Sequence, residues 1–124
     1  MPGELQGLRV LVVEDEFLVA MDIELMLRQC GCAVVGPIGD LATALRAVQE
    51  GGFDLALLDV NVGGQPVTAV AEALRVHAVP MVFCTGYQAA NIPHRFAGAP
   101  TLQKPFQVGD MVAALRAAAG DDTA

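Results

Sequence analysis

VLVVEDE, spanning Val10 to Glu16, runs four apolar residues straight into three carboxylates. The apolar part is short, continuous and rich in β-branched residues, which is the pattern of a strand buried on both faces. The acidic end is harder to explain. Like charges this close repel, and desolvation beside a core adds to the cost. Something has to keep Glu14 and Asp15 ionised side by side.

Composition narrows the answer. The chain has 124 residues, of which 54% are hydrophobic, enough for one domain with one core. A single domain is expected over residues 1–124, with its core at about 8–118 and a frayed tail at 119–124. The apolar runs are strand-length, short of the roughly 20 residues a membrane span needs. The opening MPGELQG has no basic, signal-like character, so a cytoplasmic location and no membrane insertion are expected. The net charge is −7, which argues against nucleic-acid binding because phosphate contacts need clustered Lys and Arg. The six arginines are scattered, and Lys104 is the single lysine. Cys30, Cys32 and Cys84 suggest neither a disulfide frame nor a metal site, and read as small buried hydrophobes. His77 and His94 read as surface or helix-end residues.

Strand and helix patterns alternate five times. Leu8–Val13 is the first strand, and a helix follows from Glu16 to Cys30. CAVVG is a second strand closed by Gly36-Pro37, and Asp40 can cap a helix carrying Leu41, Ala44, Leu45 and Val48. Phe53–Asp59 is the third strand, NVGGQP a loop, and Val67, Val70, Ala71 and Leu74 mark a third helix. Val79–Cys84 is the fourth strand. The fourth helix is expected to be short or irregular, because QAANIPHRFAGA carries Pro93 in its middle. PTLQ is the fifth strand, and Val108, Met111, Val112 and Leu115 mark the last helix. This is an α/β pattern: a doubly wound parallel five-stranded sheet with helices on both faces. Ligands of such sheets bind outside the carboxyl ends of the strands.

The polar residues at those ends share a chemistry. Strand one ends in Glu14-Asp15, strand three in Asp59, strand four in Thr85-Gly86 and strand five in Lys104-Pro105. If strands one and three are neighbours, three carboxylates converge, with a hydroxyl and an ammonium beside them. Such a cluster calls for a cation, and hard oxygen ligands suit Mg²⁺. Asp59 can then act as a nucleophile that accepts a phosphoryl group, with Lys104 and Thr85 binding phosphoryl oxygens. Singly, each residue also fits a solvated turn, a cap or a surface position; their conjunction at four strand ends points to function.

With these residues in place, the chain resembles a response-regulator receiver domain of two-component signalling, over about Leu8 to Ala118. The resemblance rests on Glu14-Asp15, on Asp59 in LALLDVN, on Thr85 in VFCTGY and on Lys104 in QKPF. It implies a flavodoxin-like (βα)5 fold with strand order 2-1-3-4-5. It implies Mg²⁺ held by Glu14, Asp15, Asp59 and the backbone carbonyl of Asn61, with Asp15 binding directly and Glu14 through water. It also implies a cis Lys104-Pro105 bond, with Asn61, Gly86, Tyr87 and Pro105 as positions that modulate the site or switch.

Three features depart from the usual receiver. DVNVGGQP replaces the usual Met-Pro and Gly stretch, Thr101 stands where a switch aromatic is usual, and Tyr87 follows Thr85 by two residues. Together they resemble the atypical, commonly single-domain FAT GUY receivers. The implied function is to take a phosphoryl group from a sensor histidine kinase or histidine phosphotransferase. The chain would then signal by contact with another protein, such as another regulator, or serve as a phosphate sink, without DNA-binding output. Self-phosphorylation and dephosphorylation are implied, but no dedicated enzyme activity: a phosphatase of this type needs a second acid where Asn61 stands. The alternative is a receiver-fold interaction module that is not phosphorylated. Tyr87 and the 88–98 segment are expected to move on phosphorylation.

Overall fold

The computed structural model describes residues 5–86, 92, 94–96 and 98–120. Along the chain run β1 (Arg9–Val13), α1 (Phe17–Gln29), β2 (Ala33–Ile38), α2 (Leu41–Glu50) and β3 (Leu55–Asp59). There follow β4 (Asn61–Val62), β5 (Gln65–Pro66), α3 (Thr68–Val76), β6 (Met81–Thr85), a 3₁₀ turn (His94–Phe96), β7 (Thr101–Gln103) and α4 (Val108–Ala118). The main sheet is parallel, in the order β2-β1-β3-β6-β7. Numbered within that sheet, this is the expected 2-1-3-4-5 order.

The two-residue period of the strands divides the core into two layers. Leu11, Val13, Ala56, Leu58 and Phe83 face α2 and α3. Val10, Val12, Leu55, Leu57 and Cys84 point the other way, towards α1 and α4. Every residue of β3 and β6 is buried, as the unbroken apolar runs require. A fully buried Leu or Val side chain contributes about 1.5–3 kcal/mol, so these central strands anchor whatever their ends carry. All three cysteines are buried. Asp40 caps α2 through a 2.8 Å bond from the Thr43 N–H, and His77 lies at the C-cap of α3.

Two elements differ from the sequence expectation. First, β2 does not close at Gly36-Pro37 but runs on to Ile38. It does so through a bulge, where Leu11 pairs with Val35 and Val13 with Ile38. Gly36 makes the bulge possible. Its φ is 103°, and a Cβ there would sit 2.8 Å from the Ile38 nitrogen and 2.9 Å from the Val12 carbonyl oxygen. Second, NVGGQP is not a plain loop. It forms an antiparallel hairpin, β4 with β5, turned by Gly63 and Gly64 at φ 61° and 78°. Positive φ at both central positions is what a two-residue hairpin turn demands.

The fourth helix is short, as expected: the described part of the connection between β6 and β7 contains one 3₁₀ turn. That turn is tied down. Phe96 is buried against Phe83, with ring centroids 6.0 Å apart. Arg95 lies over the Phe96 ring and bonds Glu72 of α3 at 2.9 Å. This turn lies within the 88–98 segment expected to move on phosphorylation. Tyr87 and Pro93 lie outside the described residues, as do the tail residues 121–124.

Candidate functional site

The sheet order brings the charged strand ends together. β1 and β3 are direct neighbours, with Val13 opposite Leu58, so the residues that follow them share one edge. β6 lies on the other side of β3, with Cys84 opposite Asp59. The Lys104 N–H donates to the Thr85 carbonyl at 2.8 Å, which continues the ladder to the lysine. Glu14, Asp15 and Asp59 each present a carboxylate oxygen within 4.8 Å of the others.

Glu14 and Asp15 do not share one environment. Successive side chains at a strand end point opposite ways. Glu14 turns inward and is 3% exposed; Asp15 is open to solvent. The Lys104 ammonium lies 3.1 Å from Glu14 Oε1 and 3.4 Å from Asp59 Oδ2, with Glu16 Oε1 at 3.8 Å. The Glu16 N–H donates to Glu14 at 3.2 Å, and the Asn61 N–H to Asp59 Oδ1 at 3.4 Å. The Gly63 N–H donates to Asp15 Oδ2 at 2.8 Å. Thr85 is buried at the end of β6, Gly86 is half-buried after it, and Pro105 is exposed beyond a cis Lys104-Pro105 bond. Thr101 is exposed at the start of β7.

The ammonium answers the opening problem only in part. Burial pushes the Glu14 carboxyl up to about 7, and the nearby Asp59 charge adds to the rise, against the Glu16 N–H and Lys104. Burial works against the Lys104 charge, but the bonds and charges of Glu14 and Asp59 outweigh it and hold the ammonium above its usual range. Three carboxylates facing one ammonium leave an excess of negative charge in a half-desolvated pocket. The donors are all hard oxygens, a set that fits a divalent cation of the Mg²⁺ type. Cys84 adjoins the site but is no thiolate nucleophile, since burial drives its thiol up to about 12.

Two contributors were not anticipated from sequence. One is Glu16, within reach of Lys104. The other is the hairpin tip at Gly63, whose signal was the Gly-Gly pair between residues able to pair as strands. A groove of about 640 Å³ opens beside the site, lined by Leu18, Met21 and Leu25 of α1 with Gly86, Lys104 and Phe106.

Fold and charge arrangement agree with what the whole sequence matches. Residues 10–116 match the response regulator receiver domain family, and the chain belongs to it. It resembles the solution structure of SdrG from Sphingomonas melonis Fr1, with 43% identity and a TM-score of 0.82 over 90% of this chain and 95% of SdrG. A BeF₃-activated conformation of SdrG from Pseudomonas melonis Fr1 matches with 42% identity and a TM-score of 0.76 over the same shares. The transcriptional regulatory protein PdtaR of Mycobacterium tuberculosis is 33% identical over 114 residues, covering 89% of this chain and 56% of PdtaR. The chain spans about half the length of the curated relatives it matches. Among the described residues, no helix is long and apolar enough to cross a membrane.

Proposed function

We propose that this chain is a phosphoacceptor in a two-component phosphorelay, with Asp59 as the acceptor. The observation that carries this is the placement of Asp59: one carboxylate oxygen on Lys104 Nζ, the other on the Asn61 N–H, and two further carboxylates within 4.8 Å. An Asp59 oxygen attacks the phosphorus of a phosphohistidine. The new O–P bond forms as the P–N bond breaks, and its electron pair stays on the imidazole nitrogen of the donor. Lys104 and the Thr85 hydroxyl bind phosphoryl oxygens, so the charge that shifts during transfer meets groups already in position. Mg²⁺, held by Glu14, Asp15, Asp59 and the Asn61 carbonyl, would supply the remaining neutralisation of phosphoryl charge.

The donor is a sensor histidine kinase or histidine phosphotransferase, and the setting is cytoplasmic. Helix α1 supports contact with a partner protein. Phe17 and Leu18 are 74% and 76% exposed, and Met21 and Leu25 more than half, forming an apolar strip beside the site. The sequence features that depart from the usual receiver (DVNVGGQP, Thr101 and Tyr87) support the FAT GUY subgroup, and the BeF₃-activated conformation of SdrG supports phosphorylation here. Output passes through protein contact, to another regulator or as a phosphate sink, without DNA binding; Tyr87 belongs to the part that responds, and Gly86 and Pro105 modulate it.

Intact mass after incubation with acetyl phosphate tests the proposal. Wild type should gain one phosphoryl group only with Mg²⁺, and Asp59→Asn should gain none. Equal labelling of Asp59→Asn would reject Asp59 as the acceptor. No labelling from acetyl phosphate or from any phosphorylated kinase would favour the unphosphorylated interaction module.

A further inference from the structure

The β4–β5 hairpin touches the acidic cluster twice, and both contacts come from its backbone. Asn61 opens β4, and Gly63 is the first residue of the turn that follows it. The Asn61 N–H reaches Asp59 Oδ1 at 3.4 Å, and the Gly63 N–H reaches Asp15 Oδ2 at 2.8 Å. The hairpin thus spans two carboxylates at the carboxyl ends of neighbouring strands, and each keeps its other oxygen for other partners. For Asp59 that oxygen faces Lys104.

The hairpin has a firm base. Val62 is buried in the core layer under α2 and α3. The Val67 N–H donates to the Val60 carbonyl at 2.9 Å, and the Val60 N–H to the Cys84 carbonyl at 3.1 Å. The Gly63-Gly64 turn places the tip N–H without obstruction, since a Cβ at Gly63 would meet nothing within 4 Å. The φ of 61° there favours glycine or asparagine, and space is not the constraint. Asp15 is exposed, so nothing in a packed core restricts its side chain. Left free, it would lose rotamer entropy each time it took up a ligating position.

We infer that Gly63 is a positioning residue: its N–H holds the Asp15 carboxylate in register with Asp59 and Glu14 before a cation arrives. This rests on the reading of the cluster as a Mg²⁺ site. Groups that orient ligands commonly account for 10–100-fold in metal affinity, and preorganisation is the reason.

The test replaces the N–H donor by a ring carbon and keeps the turn. D-Proline adopts positive φ and has no N–H, so a semisynthetic chain joined at Cys32 and Cys84 can carry Gly63→D-Pro. Gly63→Asn is the control, because Asn tolerates this turn and keeps the N–H. Mg²⁺ affinity is measured by titration calorimetry, urea unfolding is measured without metal, and amide exchange is followed by NMR. Gly63→D-Pro should bind Mg²⁺ about 10-fold or more weakly, with its metal-free unfolding midpoint held or raised. Gly63→Asn should bind within about twofold of wild type. The Gly63 amide should be protected from exchange in wild type and lose that protection in Asp15→Ala. Wild-type affinity in Gly63→D-Pro, or an equal loss in Gly63→Asn, would overturn the inference and leave the phosphoacceptor reading standing. A wild type that binds no Mg²⁺ would overturn the inference together with the metal part of that reading.

Discussion

Strands β1 and β3 carry charged partners at both ends, and the two ends are built on different terms. At the amino end Arg9 and Asp54 form one exposed pair at 3.3 Å, one cation for one anion. At the carboxyl end Lys104 meets Glu14 and Asp59, both nearly buried, with Asp15 and Glu16 close by. The first arrangement is complete and rests in water, where such a pair contributes little. The second is short of positive charge and partly desolvated. That imbalance costs stability in the resting chain, and it is what a site for a cation and a phosphoryl group needs. A stability-driven design would have balanced the carboxyl end as it did the amino end.

Removing the cation at the carboxyl end should have the largest effect. Lys104→Met should destabilise the metal-free protein by about 3 kcal/mol in urea unfolding near pH 8, because it strands buried carboxylates. A loss no greater than that from Arg9→Met would erase the contrast between the two ends.

The pH dependence comes next. Glu14 ionises near 4.5 when unfolded, but burial raises it to about 7 in the fold. Between those values the folded chain binds more protons than the unfolded chain, so stability should fall as pH rises from about 5 to 8. The drop in metal-free buffer should be on the order of 2–3 kcal/mol. Glu14→Gln should flatten that slope, and an unchanged slope would remove Glu14 as its source.

Added Mg²⁺ should act at the carboxyl end alone. At ten times its dissociation constant it should stabilise wild type by about 1.4 kcal/mol. Asp54→Asn should keep this gain and Asp59→Asn should lose most of it.

Asp54→Asn itself should be the smallest effect, about 0.5 kcal/mol or less after solvent screening, and smaller still in high salt. The hydrogen bonds from Arg9 lower the Asp54 carboxyl. The contribution of this pair is therefore present above the ordinary carboxylate range and lost as pH falls through the lowered value. Acid unfolding curves of wild type and Asp54→Asn should converge there.

These contrasts were not equally legible in the sequence. Five strand–helix units and the polar residue at each strand end follow from periodicity and position, since β3 and β6 are unbroken apolar runs. Strand order does not follow from periodicity; it came from the family resemblance. The division of labour between Glu14 and Asp15 was within reach, because adjacent residues at a strand end face opposite ways. The β2 bulge was hidden because Gly36-Pro37 reads equally well as a stop. The hairpin was hidden because each strand is only two residues long, too short to show alternation. Contacts such as Gly63 with Asp15 and Arg95 with Glu72 join residues far apart in sequence, and no local pattern encodes them.

On the proposed reading, the charge imbalance at the carboxyl end serves a phosphoryl group on one particular carboxylate, Asp59. Borohydride reduces an acyl phosphate to the alcohol, so acetyl phosphate-treated protein can be trapped and its peptides sequenced. Homoserine in place of Asp59, formed only when Mg²⁺ was present, is the predicted result. Homoserine at Asp15, 2-amino-5-hydroxypentanoic acid at Glu14, or homoserine at Asp59 formed equally without Mg²⁺, would contradict it.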